Sequence, residues 1–208
     1  MIDAQALLSG VRVVPVVAID ELDTARPLAE AFVEAGIGAI EVTLRTRIAL
    51  EAIEVIARDV PDLIVGAGSL RTTAQVKDVS RAGARFGVSP GSTTALVGAA
   101  RDAGLPFIPG AATASEMLAL LEQGITLQKF FPAELAGGMP YLKAVGAPLP
   151  ELRFMPTGGL TPLNAADYLA LDNVSCIGGS WLAPAGLLRD RDFAAITRLA
   201  KDAARLGV

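Results

Sequence analysis

The sequence predicts an α/β fold, a (β/α)8 or TIM barrel, built as one domain over residues 1–208. Three observations predict it. Short β-rich runs alternate with amphipathic helical segments along the chain. Eight such runs occur, spaced about 23 residues apart, near the minimum for a strand-plus-helix unit with short loops. Glycine-rich ends recur on several strands, whereas an open dinucleotide-binding sheet would carry GxGxxG after its first strand, and none stands there.

Taken in order, a short helix over Asp3–Leu8 is expected to plug the barrel floor. Strand runs begin near Val13 (VVPVVA), Ala39 (AIEVTL), Ile64 (IVGAG), Ala84 (ARFGV), Pro106 (PFIPG), Thr126 (TLQKFFP), Arg153 (RFMPTGG) and Val174 (VSCIGG). They are mostly continuous apolar runs, as strands buried on both faces should be. Between them, Leu22–Ala35 places Leu28, Phe32 and Ala35 on one helical face and stops at Gly36. Thr46–Asp59 does the same with Leu50, Ile53, Ile56 and Ala57, and stops before Pro61. Helices over Thr72–Ala82, Thr93–Ala103 and Ser115–Gln123 each end at a glycine. Thr113 and Ser115 read as caps of the last of these, and Thr161-Pro162 as an N-cap with proline at the first helical position.

Composition narrows the function. Hydrophobic residues make up 52% and charged residues 19%, enough to bury a large core. The net charge is −4, with no basic stripe for nucleic acid. No run approaches the roughly 18 apolar residues of a membrane span, and no targeting segment is visible at the N-terminus. Cys176 is the sole cysteine, which fits a reducing cytoplasm. Histidine is absent. That removes Ser-His-Asp and Cys-His sites, HExxH zinc sites and any histidine base.

A closed barrel keeps its chemistry at the C-terminal strand ends. The residues there include Glu41, Thr43 and Arg45 on strand two, Gly66, Gly68 and Ser69 on strand three, and Ser89 and Pro90 on strand four. Lys129, Phe131 and Glu134 follow on strand six, with Thr157, Gly158 and Gly159 on strand seven and Gly179, Ser180 and Trp181 on strand eight. Lys129 interrupts an apolar run that otherwise reads as buried strand. Desolvation disfavours an ammonium ion, and only the free amine attacks a ketone to form an imine. The same pattern also fits a lysine that snorkels to solvent. Glu41, Thr43 and Arg45 alternate, so all three point to one face. A proton-moving carboxylate with a carboxylate-gripping guanidinium fits that arrangement, and so does a structural Glu41–Arg45 ion pair. Glycine pairs after strands seven and eight expose backbone N–H groups that suit a phosphate, or mark tight turns only. Trp181 reads as a wall or packing residue, Cys176 as core, and Tyr141 and Tyr168 as helix packing.

Several segments together resemble a known family. RVVPVV at 12–17, EVTLRT at 41–46, VGAG at 65–68, SPG at 89–91, KFFPAE at 129–134, PTGG at 156–159 and CIGGSW at 176–181 are similar to the 2-keto-3-deoxy-6-phosphogluconate (KDPG)/4-hydroxy-2-oxoglutarate aldolases. The resemblance implies a class I, metal-free aldolase with no cofactor, a (β/α)8 barrel and a homotrimer. It implies Lys129 as the Schiff-base lysine, Glu41 as general acid/base and Arg45 as the carboxylate holder. It implies Pro90 and Phe131 as pyruvyl-pocket walls and Gly158, Gly159, Gly179 and Ser180 as phosphate holders. Ser69 stands where the family usually has threonine, which bears on sugar stereoselectivity. The implied partner is a phosphorylated keto-acid, with no nucleic acid or membrane, in the Entner-Doudoroff carbohydrate metabolism of the cytoplasm. Other readings are an aldolase for the C4-epimeric galactonate, release of glyoxylate from 4-hydroxy-2-oxoglutarate, a phosphate-binding isomerase barrel, and a non-catalytic barrel that binds a phosphorylated metabolite.

Overall fold

Strands with apolar side chains at every position must bury two faces, and the fold supplies both. A computed structural model describes residues 3–206. All its strands pair in parallel: β1 (Val13–Val17), β2 (Ala39–Thr43), β3 (Ile64–Gly68), β4 (Phe86–Val88), β5 (Phe107–Ile108), β6 (Gly110–Ala111), β7 (Leu127–Phe130), β8 (Arg153–Pro156) and β9 (Ile177–Gly179). One sheet runs β5-β4-β3-β2-β1-β9 and another runs β6-β7-β8. They join at both edges. β5 and β6 are two halves of one barrel position, and Phe154–Val174 and Thr157–Gly178 bridges link the β8 side to the β9 side. The result is a curled parallel sheet closing as the expected (β/α)8 barrel.

The expected fifth strand is broken because Pro109 lies within it. Proline has no N–H to give the ladder, although its carbonyl still accepts from the Lys129 amide at 2.9 Å. The eighth run also starts late as a strand. Val174 makes only an isolated bridge, and regular pairing begins at Ile177.

The helices are α1 (Ala4–Leu7), α2 (Ala25–Glu34), α3 (Ala49–Asp59), α4 (Thr73–Arg81), α5 (Thr94–Asp102), α6 (Ala114–Leu121), α7 (Gly138–Gly146), α8 (Ala165–Leu169), α9 (Ala185–Arg189) and α10 (Phe193–Ala204). Where the sequence carries a good cap, the boundary is where it was expected. Thr72 caps α4 through a reciprocal box with Gln75, and Thr93 caps α5. Thr113 caps α6 with Glu116, which leaves Ser115 inside the helix rather than at its cap. Where no cap exists, the helix starts late. Residues 22–24 form a 3-10 turn before α2, and α3 begins only at Ala49, after an Ile48 that caps nothing. Thr161-Pro162 does not open a helix. The Thr161 N–H donates to Asn164 Oδ1 at 2.8 Å, closing a turn, and α8 starts after it.

Burial falls into two layers. The outer layer packs strand residues such as Ile40, Val42, Val65 and Phe130 against helix residues such as Leu28, Phe32, Ile53 and Ile56. The inner layer fills the lower lumen with Val14, Ala39, Phe86, Val88, Ile108, Leu127, Met155 and Cys176. Ala4 and Leu8, at the two ends of α1, belong to that inner cluster, so the N-terminal helix plugs the floor as expected. Among the described residues, no helix is long and apolar enough to cross a membrane.

Candidate active site

Strand alternation sends Glu41 and Lys129 into the lumen, one register step above its apolar filling. Glu41 of β2 aligns with Val16 on one side and Gly66 on the other, and Lys129 of β7 lies between Gly110 and Met155. Neither snorkels outward. Glu41 is 0% exposed and Lys129 is 4% exposed. The Lys129 Nζ donates to Glu41 Oε1 at 3.3 Å, and lies 5.2 Å from the centre of the Phe131 ring, within range of a cation–π attraction.

The ion pair was expected, if at all, between Glu41 and Arg45. The structure corrects this. β2 ends at Thr43, and among the described residues Glu41 pairs with Lys129 and not with Arg45. The Arg45 N–H turns back to the Thr43 carbonyl at 2.8 Å. Its exposed side chain donates from Nε to Ser69 Oγ at 3.3 Å. Ser69 itself sits at φ 61°, in the left-handed region where a β-branched side chain is costly, so serine is easier to hold here than threonine.

Glycines make room for the pair. A side chain on Gly68 would land on the Glu41 carboxylate, and one on Gly66 would land in the Phe86 ring. The other buried lumen polars are satisfied locally. Thr43 Oγ1 donates to the Val17 carbonyl at 2.9 Å, and Ser89 Oγ accepts from the Gly110 N–H at 3.4 Å. Glu41 Oε2 is the exception, buried with no partner. A carboxylate oxygen with no protein partner beside an amine can accept a proton or a substrate group.

The remaining expected residues ring this pair. Pro90 is exposed at the end of β4, against Gly110. Phe131 is half-buried after β7, and a side chain on Gly158 would come 3.3 Å from its ring. Gly158 and Gly159 take φ values of 99° and 85°, which only glycine holds without strain. The Thr157–Gly178 bridge sets this turn beside the Gly179-Ser180 end. There the Trp181 ring packs over Gly179 and Ser180 is exposed. Cys176 is core, and burial pushes its thiol up to about 12.

Sequence reasoning missed the Lys129–Glu41 pair and a second contact farther out. Tyr168 of α8 is more than packing, since its hydroxyl donates to Glu134, 34 positions earlier. Nothing in the sequence links two residues so far apart. A cavity of about 750 Å³ lined by Met139, Lys143, Arg153, Asp167 and Asn173 lies at the N-terminal end of β8. That is the wrong end of the strands for barrel chemistry.

Comparison with known proteins supplies the family. The sequence model of the family described as KDPG and KHG aldolase matches residues 4–199. The KHG/KDPG aldolase of Escherichia coli K12 is 46% identical over 200 residues, covering 96% of this chain and 94% of the relative. The 2-dehydro-3-deoxy-phosphogluconate aldolase of Dickeya dadantii gives the same identity and coverage. The solved KDPG aldolase of Legionella pneumophila, with pyruvate captured at low pH as a covalent carbinolamine intermediate, superposes with a TM-score of 0.93. It is 43% identical, covering 96% of this chain and 97% of that one. The chain belongs to the KDPG and KHG aldolase family.

Proposed function

We propose that this chain is a class I aldolase that cleaves 2-dehydro-3-deoxy-6-phosphogluconate to pyruvate and glyceraldehyde 3-phosphate, and also 4-hydroxy-2-oxoglutarate to pyruvate and glyoxylate. One observation carries the reading: a lysine amine buried in the barrel mouth, 3.3 Å from a carboxylate whose other oxygen has no protein partner. Proton transfer from Lys129 to Glu41 frees the amine. The amine attacks the C2 ketone, giving a carbinolamine; Glu41 returns its proton to the carbinolamine hydroxyl, which leaves as water, and a protonated imine and a free carboxylate remain. Glu41 takes the proton of the C4 hydroxyl as the C3–C4 bond breaks. The bonding pair flows into the imine as an enamine, and the aldehyde leaves. Protonation at C3 and hydrolysis then release pyruvate and restore Lys129.

The surrounding residues orient the two ends of the substrate. Arg45 grips the C1 carboxylate, with Ser69 beside it, while Pro90 and Phe131 wall the pyruvyl half. Backbone amides of Gly158, Gly159 and Gly179, with the Ser180 hydroxyl, hold the phosphate. The chain works as a single domain over 1–208, whose terminal residues 1–2 and 207–208 lie outside the described ones. We assign it to Entner-Doudoroff metabolism in the cytoplasm, as a homotrimer.

Borohydride reduction in the presence of pyruvate tests the reading directly. Mass spectrometry should place the trapped adduct on Lys129, and Lys129→Ala should abolish both label and turnover. Label on another residue, with Lys129 unmodified, would overturn it.

A further inference from the structure

The loop after β7 is stitched to the loop after β8. The Ala133 N–H donates to the Thr157 carbonyl at 2.9 Å, and the Glu134 N–H donates to the Gly158 carbonyl at 3.1 Å. Asn164 Nδ2 donates to the Gly159 carbonyl at 3.4 Å. Both glycine carbonyls are thus tied back. Among the described residues, neither glycine N–H has a protein acceptor.

The Glu134 side chain lies across this turn. A side chain built on Gly159 would come 2.6 Å from Glu134 Cγ and 2.7 Å from its Cβ. The carboxylate then reaches past the turn to accept from the Tyr168 hydroxyl of α8. The pair packs against the start of α7, where a side chain on Gly138 would lie 3.2 Å from the phenol oxygen. Tyr168 is fully buried. Burial, then the bond to Glu134, raises its ionisation above the ordinary range, so it remains a donor.

We propose that Tyr168 is a positioning residue that sets specificity for the phosphorylated end of the substrate, by holding Glu134 across Gly159. The proposal rests on the reading that this turn binds phosphate. A loose carboxylate beside that turn would repel a phosphate dianion and let the amides drift. Held by the phenol, it faces α8, and its stem braces the turn.

The test compares the phosphorylated six-carbon substrate with 4-hydroxy-2-oxoglutarate, which has no phosphate. Tyr168→Phe keeps the ring and removes the donor. We expect KM for the phosphorylated substrate to rise roughly tenfold, as loss of one charge-assisted hydrogen bond implies. Its kcat, both constants for 4-hydroxy-2-oxoglutarate, and pyruvate trapping on Lys129 should hold within about twofold. Glu134→Gln keeps an acceptor without the charge and should raise KM for the phosphorylated substrate less than Tyr168→Phe does, whereas Glu134→Ala should reproduce the full selective KM rise. If Tyr168→Phe does not fold, Glu134→Ala decides alone. Equal losses on both substrates, or none on either, would overturn the proposal. A parent protein with no preference for the phosphorylated substrate would instead sink the phosphate site, and this proposal with it.

Discussion

The lower and upper halves of the barrel lumen are built by the same strands yet obey opposite rules. Below, Val14, Phe86, Ile108, Leu127, Met155 and Cys176 fill the space and α1 closes it. Above, Glu41 and Lys129 face each other, flanked by Thr43, Ser89 and Thr157. On β7 the change takes a single inward step, from Leu127 to Lys129, and on β2 from Ala39 to Glu41. Both halves use a β3 glycine to admit a neighbour's side chain, Phe86 over Gly66 below and Glu41 beside Gly68 above. The lower neighbour supplies packing, and the upper one supplies charge. A barrel can thus keep a charged pair nearly dry because the layer beneath is apolar and complete.

The sharpest way to break the comparison is to discharge the upper half. Glu41→Gln keeps the shape but removes the base, and turnover should fall by roughly 10²–10⁴-fold, the usual worth of a positioned acid/base group. Borohydride trapping of pyruvate on Lys129 should persist, though more slowly. Steady-state rates near the parent's would remove Glu41 from proton transfer.

Two overpacking variants on one strand sharpen it further. Gly68→Ala pushes a methyl into the Glu41 carboxylate, and a shift of about 1 Å costs on the order of a hundredfold in rate. Gly66→Ala pushes the same methyl into the Phe86 ring. Overpacking there should cost about 1–3 kcal/mol of stability with much of the rate kept in the folded fraction. Urea unfolding and turnover, measured on both, should separate the two losses. If both variants lose rate and stability in equal proportion, the two halves are one unit.

The sequence carried much of this and missed it where the rules are local. Strand periodicity located the eight barrel positions, and one lysine in an apolar run drew attention to residue 129. The same periodicity left room for a Glu41–Arg45 ion pair, but Glu41 pairs with Lys129 and Arg45, beyond the end of β2, donates to Ser69. It was silent on Pro109, whose missing N–H splits a strand that hydrophobicity alone shows as continuous. The Lys129–Glu41 and Tyr168–Glu134 pairs are products of closure, spanning 88 and 34 positions. No local pattern encodes a partner on another strand or helix, and only the glycines that clear space for these side chains are visible beforehand.

Cys176 offers the gentlest probe of the lower half, since it reports dryness without touching the chemistry. Its thiol ionises at about 12 in the fold against 9.0 unperturbed, chiefly because of burial. The Arg12 charge pulls it back somewhat, and Glu41 adds to the rise. The sign follows from proton binding. Above pH 9 the unfolded chain sheds this proton while the folded chain keeps it, so stability is full below pH 9 and falls as pH rises toward 12. Between pH 8 and pH 10 the parent should lose about 1.4 kcal/mol more than Cys176→Ala. Urea midpoints for both proteins at the two pH values measure this difference, and groups common to both cancel. Parallel declines would mean that the thiol reaches water readily, and that the floor beneath the ion pair is wetter than its packing implies.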